Sequence, residues 1–203
     1  MKDNYIIFGN GFIAGHYAAY LLSKGRKVTV AYRTSLNPMI PEKVQCKISE
    51  HIEDLKIMLS NLKPNFIILT HGVSFIPNTE KDLEKSMASN LLAPLKVLEA
   101  IYLLKKSNPQ YKIPKKILTF GSAAEYGDSK GKPLSEKLPP HPSSLYGLSK
   151  NWLYQVAQYY TNLGLPCVHL RQFNAIGAKQ NPFFAVSSFC RQIALMEKKK
   201  QEL

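Results

Sequence analysis

Tyr146 and Lys150 stand four residues apart where a helical pattern begins, in Ser143-Ser144-Leu145-Tyr146-Gly147-Leu148-Ser149-Lys150. Residues at i and i+4 share one helix face. An ammonium held beside a phenol favours phenolate, and so lowers a pKa that is about 10 in the free side chain. Such a pair could take up or release a proton near neutral pH. By itself it is also what an ordinary surface helix turn carries, so its meaning depends on what the chain builds around it.

The start of the chain supplies the second chemical element. Tyr5 to Phe8 is a short apolar run that stops at Gly9-Asn10-Gly11-Phe12-Ile13-Ala14-Gly15. His16 to Ser23 carries apolar residues at helical spacing, Lys24-Gly25 closes that helix, and Lys27 to Tyr32 reads as a second strand. Strand, glycine turn, helix and strand in this order are the context in which a glycine triplet binds a dinucleotide. Gly9 permits the tight turn, Gly11 lets the backbone approach a pyrophosphate, and Ala14 is small enough for helix and strand to pack. The helix start then offers unpaired N–H groups and a positive dipole end to the phosphates, with Asn10, Phe12 and Ile13 lining the turn. After the second strand, where NAD-binding chains place a carboxylate for the ribose hydroxyls, this chain has Tyr32-Arg33-Thr34-Ser35. Arg33 could hold a ribose 2′-phosphate, with Thr34 adding a hydrogen bond, which predicts NADP over NAD; a solvated loop arginine is the plain alternative.

Strands and helices then alternate. A short third strand at Cys46 to Ile48 precedes a helix whose expected apolar face is Ile52, Leu55, Ile57, Met58, Leu59 and Leu62. Phe66 to Thr70 is wholly apolar up to its last residue, as buried parallel strands are, and ends at His71-Gly72, the strand end at which open α/β sheets bind ligands. Leu83 to Leu104 is a long helical stretch containing Asn90 and Pro94, and Lys115 to Phe120 is the next strand, followed by Gly121-Ser122-Ala123-Ala124-Glu125-Tyr126-Gly127. A proline-bearing loop fills 128–144, the Tyr146 helix continues to Leu163, Pro166 to Leu170 is a last strand, and Phe183 to Lys200 a last helix. The pattern predicts an α/β fold, a doubly wound parallel sheet of order 3-2-1-4-5-6, in one dinucleotide-binding domain over 1–203.

The ordered set resembles the extended short-chain dehydrogenase/reductase family over essentially the whole chain. The resemblance is carried by Gly-Asn-Gly-Phe-Ile-Ala at 9–14, Asn90, Ser-Ala-Ala-Glu-Tyr-Gly at 122–127, Tyr-Gly-Leu-Ser-Lys at 146–150 and Arg-Gln-Phe-Asn-Ala-Ile-Gly at 171–177. It implies a Rossmann fold and a set of roles. Ser122 would hydrogen-bond the substrate oxygen, Tyr146 would exchange its proton, and Lys150 would tune the phenol and bind the nicotinamide ribose. Asn90 would support the site. Thr70, His71 and Gly72 would line the cofactor, and Ala123 and Asn174 would meet a nucleotide-sugar substrate, Asn174 at its diphosphate. The 171–203 portion would begin a substrate-binding region. Dehydratases of this family carry an Asp-Glu or Ser-Glu pair just after the catalytic hydroxyl residue; Ala123 and Ala124 stand there, and Glu125, one residue late on an extended segment, would face the other way. The resemblance therefore implies an NADP-dependent reductase of a nucleotide-linked 4-keto-6-deoxy sugar. A 4-epimerase with tightly held NAD and a non-catalytic NADP-binding module are the alternatives. Family members continue for about another hundred residues, so most of the substrate domain is expected to be absent, and relatives dimerise through the helices bearing Asn90 and Tyr146.

Composition narrows the rest. The net charge is +13, from 27 Lys and Arg against 14 Asp and Glu, which suits an anionic partner such as a nucleotide. The lysines are scattered and not interleaved with aromatics, which argues against nucleic acid. No apolar run approaches the roughly 18 residues that span a bilayer. Cys46, Cys167 and Cys190 form no metal-ligand spacing and read as reduced thiols of a cytoplasmic protein.

Overall fold

Six short strands pair into one parallel sheet in the computed structural model, which describes residues 3–73 and 79–201. The strands are β1 (Asn4–Phe8), β2 (Lys27–Tyr32), β3 (Gln45–Lys47), β4 (Phe66–Leu69), β5 (Lys116–Phe120) and β6 (Cys167–Leu170). The helices are α1 (Phe12–Ser23), α2 (Ile52–Leu62), α3 (Glu80–Met87), α4 (Ala93–Ser107), α5 (Leu145–Asn162) and α6 (Ala185–Gln201). The sheet order is β3-β2-β1-β4-β5-β6, as the alternation of strands and helices predicts, and each neighbouring pair is parallel. The fold divides after Phe173 into a unit that holds the whole sheet and a second that begins at Asn174.

The central strands are apolar without a break because both their faces are covered. Ile6, Phe8, Ile67 and Leu69 point to the face that packs α2 and α4 through Leu55, Leu59, Leu98 and Ile101. Ile7, Val30 and Ile68 point to the other face, against Ala14, Ala18 and Leu21 of α1. With the parallel strands all running one way, their C-terminal ends share one edge, and the residues that follow them gather there. Gly9 follows β1 with φ +96°, and a Cβ on it would lie 2.8 Å from Thr70 Oγ1, so the turn closes only with glycine.

The long helical stretch differs from expectation in one respect. Lys81–Ser107 is long and apolar enough, by length and composition, to cross a bilayer. Its apolar stripe, Val97, Leu98, Ile101 and Leu104, lies in the core beneath the sheet instead. Between α3 and α4 the helix widens into a π turn over Ala88–Leu92. Pro94 accounts for the widening: it has no N–H for the carbonyl of Asn90 four residues earlier, and its ring would collide with that carbonyl in a regular turn.

If this helix is a core element, Leu98→Ala should lower unfolding stability by about 2–5 kcal/mol in urea titration. A loss below about 0.5 kcal/mol, typical of surface sites, would contradict the packing described.

Candidate active site

Lys150 comes from the second turn of α5 and is 4% exposed. Its Nζ donates to the carbonyl of Phe120, at the end of β5, at 3.0 Å, and to that of His71, just past β4, at 3.3 Å. The ammonium has three N–H donors, so one remains beyond these two bonds. Gly72 makes the room: its φ is +149°, and a Cβ there would sit 2.7 Å from Lys150 Nζ. Burial pulls the Lys150 pKa down to about 8, against the opposing charge of Glu125.

Tyr146 lies one turn earlier on the same face, its ring centroid 6.0 Å from Lys150 Nζ. The expectation that the ammonium lowers the phenol's pKa is not met here. Burial raises it, the Glu125 charge adds to the rise, and the hydrogen bond from Ser122 opposes them. The reason is geometric: two of the Lys150 donors are turned to backbone carbonyls, and the Ser122 hydrogen bond alone does not offset the lost hydration of a phenolate.

Ser122 follows β5 and caps the short 3-10 turn Ala123–Tyr126, accepting the N–H of Ala124 at 3.1 Å. That turn corrects the reading of this segment as extended. Glu125 does not point away from Ser122; its Oε1 accepts the backbone N–H of Ser122 at 2.7 Å, closing a capping box. The spacing Ser-x-x-Glu is the sequence signature of that box and could have revealed it. Glu125 is fully buried. Its Oε1 also meets His169 Nε2 at 3.1 Å, and its Oε2 accepts from Arg171 Nε at 3.1 Å. A carboxylate only accepts, so Nε2 carries the proton, while Nδ1 meets the Thr119 hydroxyl at 2.8 Å. Arg171 lies between the rings of Tyr126 and Tyr154, 4.9 and 4.6 Å from their centroids. Burial would push the Glu125 pKa up, but the hydrogen bonds from His169, Ser122 and Arg171 and the histidine's charge leave it lowered. A carboxylate bound this fully is a fixed support under Ser122, not a free base.

Asn90 sits in the π turn and is fully buried. Its Oδ1 accepts the N–H of Val73 at 2.8 Å, and its Nδ2 faces the Val73 carbonyl, Ser86 Oγ and Ser149 Oγ at 3.1–3.2 Å. Ser149 donates in turn to the carbonyl of Tyr146 at 2.7 Å. Ser149 and Ser86 escape sequence reasoning because one serine inside a helix carries no signal until its partner is known.

The glycine turn adjoins these groups at the same sheet edge. Gly11 ends the turn as the N-cap of α1, and a Cβ on it would meet nothing within 4 Å, so its outer face is open. Phe12 and Ile13 form the first turn of α1, with the Phe12 ring edge-on to His16 at 4.6 Å. Asn10 Nδ2 donates to the carbonyl of Ser35. Asn37 Nδ2 reaches back to the carbonyls of Asn10 and Gly11, which turns these acceptors away from any anion at the turn. Gln45 holds Asn37 through both its backbone N–H and its carbonyl. Thr70 spends its hydroxyl on the carbonyl of Phe8 at 2.9 Å. His71 Nδ1 is buried with no hydrogen-bond partner among the described residues, and burial, then the charges of Lys150 and Arg33, lower its pKa to about 3. A neutral imidazole nitrogen left without a partner, an open glycine turn and a spare ammonium N–H are together what a bound dinucleotide would satisfy.

Four more of the expected residues have these places. Arg33 is not a free cation, since its Nη1 donates to both oxygens of Glu50, at 3.0 and 3.1 Å. Thr34 is exposed in the same loop, and Ala123 is half-buried in the 3-10 turn. Asn174 is exposed at the start of the second unit.

The chain is similar to known proteins in sequence and in fold. The profile of the NAD dependent epimerase/dehydratase family matches residues 5–203. GDP-6-deoxy-D-mannose reductase of Pseudomonas aeruginosa is 27% identical over 191 residues, which are 93% of this chain and 57% of that protein. UDP-glucose 4-epimerase of Lacticaseibacillus casei is 29% identical over 180 residues, 85% of this chain and 51% of that protein. Among solved structures, Thermus thermophilus UDP-glucose 4-epimerase in complex with NAD superposes with a TM-score of 0.75 at 24% identity, over 91% of this chain and 59% of that one. The chain thus spans a little over half the length of the relatives it matches.

The buried ammonium gives a pH test. Unfolded, Lys150 keeps its proton to the ordinary 10.5, whereas folded it loses it near 8. Between those values the unfolded chain binds more protons, so stability rises with pH. The stability of the native chain minus that of Lys150→Met should climb by about 3 kcal/mol across this window. A difference that stays flat would contradict the burial of a charged amine.

Proposed function

The chain belongs to the NAD dependent epimerase/dehydratase family, and on that footing we propose that it is the cofactor-binding part of an NADP(H)-dependent reductase. Its substrate in this reading is a nucleotide-linked 4-keto-6-deoxy sugar, with GDP-4-dehydro-6-deoxy-D-mannose the first candidate. The bound cofactor would supply the hydride. The rest of the chemistry falls to this chain's side chains. The Gly9–Gly11 turn and the start of α1 would hold the pyrophosphate, Arg33 the 2′-phosphate, and Lys150 the nicotinamide ribose. Ser122 and Tyr146 would hydrogen-bond the C4 oxygen, and Tyr146 would protonate it as it becomes an alkoxide.

The observation that carries the reading is the convergence of three groups at one sheet edge: Ser122 after β5, hydrogen-bonded to the Tyr146 phenol, and Lys150 one turn on from Tyr146. A phenol is protonated at neutral pH, as a carbonyl reduction requires of its proton donor. The same group would serve the reduction half of an epimerisation, and it is Arg33, which suits a 2′-phosphate, that favours the exchanging NADPH of a reductase. The likeness to GDP-6-deoxy-D-mannose reductase supports the same choice. The likeness to UDP-glucose 4-epimerase supports a second reading, 4-epimerisation with retained NAD. The unpaired thiols of Cys46, Cys167 and Cys190 fit a cytoplasmic enzyme.

The test is NADPH oxidation, followed by its near-ultraviolet absorbance, with GDP-4-dehydro-6-deoxy-D-mannose. Tyr146→Phe should cost on the order of a hundredfold or more in kcat. Turnover that survives Tyr146→Phe, or no turnover with any keto sugar nucleotide, would defeat the proposal. Protein that purifies with stoichiometric NAD would favour the epimerase.

A further inference from the structure

The sheet order fixes where the two halves of a dinucleotide must lie. Its pyrophosphate meets the turn after β1, and β1 has β4 on one side and β2 on the other. Ser122, Tyr146 and Lys150 gather past β4 and β5, so the nicotinamide takes that side. The adenosine ribose is left to the ends of β2 and β3, where Arg33 and Glu50 stand.

Three observations describe that end of the cleft. Arg33 Nη1 bridges both carboxylate oxygens of Glu50, at 3.0 and 3.1 Å. Both partners remain within reach of solvent, their side chains 47% and 26% exposed. The loop that carries Arg33 is also tied to the glycine turn, through Asn10 Nδ2 on the Ser35 carbonyl and Asn37 Nδ2 on the Asn10 and Gly11 carbonyls. The backbone that carries Arg33 is therefore tethered to the glycine turn, while its guanidinium is held by Glu50.

A guanidinium at the end of β2 accommodates a ribose 2′-phosphate, whereas a carboxylate accepts a hydrogen bond from a free 2′-hydroxyl and repels a phosphate. This chain has one of each, on neighbouring strand ends, bonded to one another. We infer that Glu50 sets the cofactor's 2′ specificity by restraining Arg33, so that the site takes both NADPH and NADH and prefers the first only modestly. The inference rests on the dinucleotide reading above. An exposed ion pair is weak, a factor of only a few in an equilibrium constant, roughly up to fivefold. A 2′-phosphate can thus draw Arg33 away, but it must displace Glu50 and then sit near its charge. With NADH the pair stays closed, and Glu50 still offers an oxygen to the ribose.

The experiment is equilibrium binding of NADPH and NADH to the 203-residue chain, read by cofactor fluorescence, with the native protein, Glu50→Gln and Arg33→Gln. The native chain should prefer NADPH by less than about tenfold. Glu50→Gln should tighten NADPH by about fivefold to tenfold and leave NADH within about twofold, with the NADPH gain shrinking at high salt. Arg33→Gln should weaken NADPH by about tenfold or more and leave NADH nearly unchanged, so that the preference inverts. Two variants that leave the preference where it was, or move it the same way, overturn the inference while the dinucleotide reading stands. Failure of the native chain to bind either cofactor overturns both.

Discussion

The site depends on one amine removed from water. Lys150 leaves its hydration to donate to the carbonyls of His71 and Phe120, which lie at the ends of β4 and β5. A single side chain thus pins two strand ends and the rotation of α5 together. The cost of that burial appears in its lowered pKa, and Glu125 partly offsets it. Because Tyr146 shares the helix face, its position follows from that of Lys150. Asn90 secures the other side of the same strand end, holding Val73 and, through Ser149, the first turn of α5.

A second fixed charge lies beneath Ser122. Glu125 is enclosed by His169, Arg171 and the Ser122 N–H, with bonds of 2.7 to 3.1 Å. Breaking such a group open would leave an uncompensated charge in the interior. Its influence reaches both Tyr146 and Lys150. The Glu125 charge opposes the fall that burial imposes on the Lys150 pKa and adds to the rise that burial imposes on the Tyr146 pKa. The protonation states of the pair therefore follow from long-range burial and pairing, not from the Tyr-Lys spacing alone.

What could be read from the sequence was what depends on local pattern. The apolar run of β1, the glycines after it and the alternation of strands with helices sufficed for a parallel sheet of the observed order. The four-residue spacing of Tyr146 and Lys150 placed both on one face, and the expected position of Asn90 proved to be a buried π turn. What escaped depends on partners distant in sequence. Asn37 reaches across 27 residues to Asn10, His169 across 44 to Glu125, and Glu50 across 17 to Arg33. A guanidinium reads as available until its carboxylate is found, and a phenol reads as acidified until its burial is known. The turn after Ser122 is the instructive miss, because Ser-x-x-Glu announces a capping box and its local helical geometry turns Glu125 inward.

The net charge of +13 suits an anionic ligand such as the dinucleotide proposed above. The most direct test is a crystal structure of the chain grown with NADP. The account predicts the pyrophosphate against the Gly9–Gly11 turn and the nicotinamide ribose against Tyr146 and Lys150. A cofactor seated elsewhere, or a nicotinamide turned away from Ser122 and Tyr146, would contradict it.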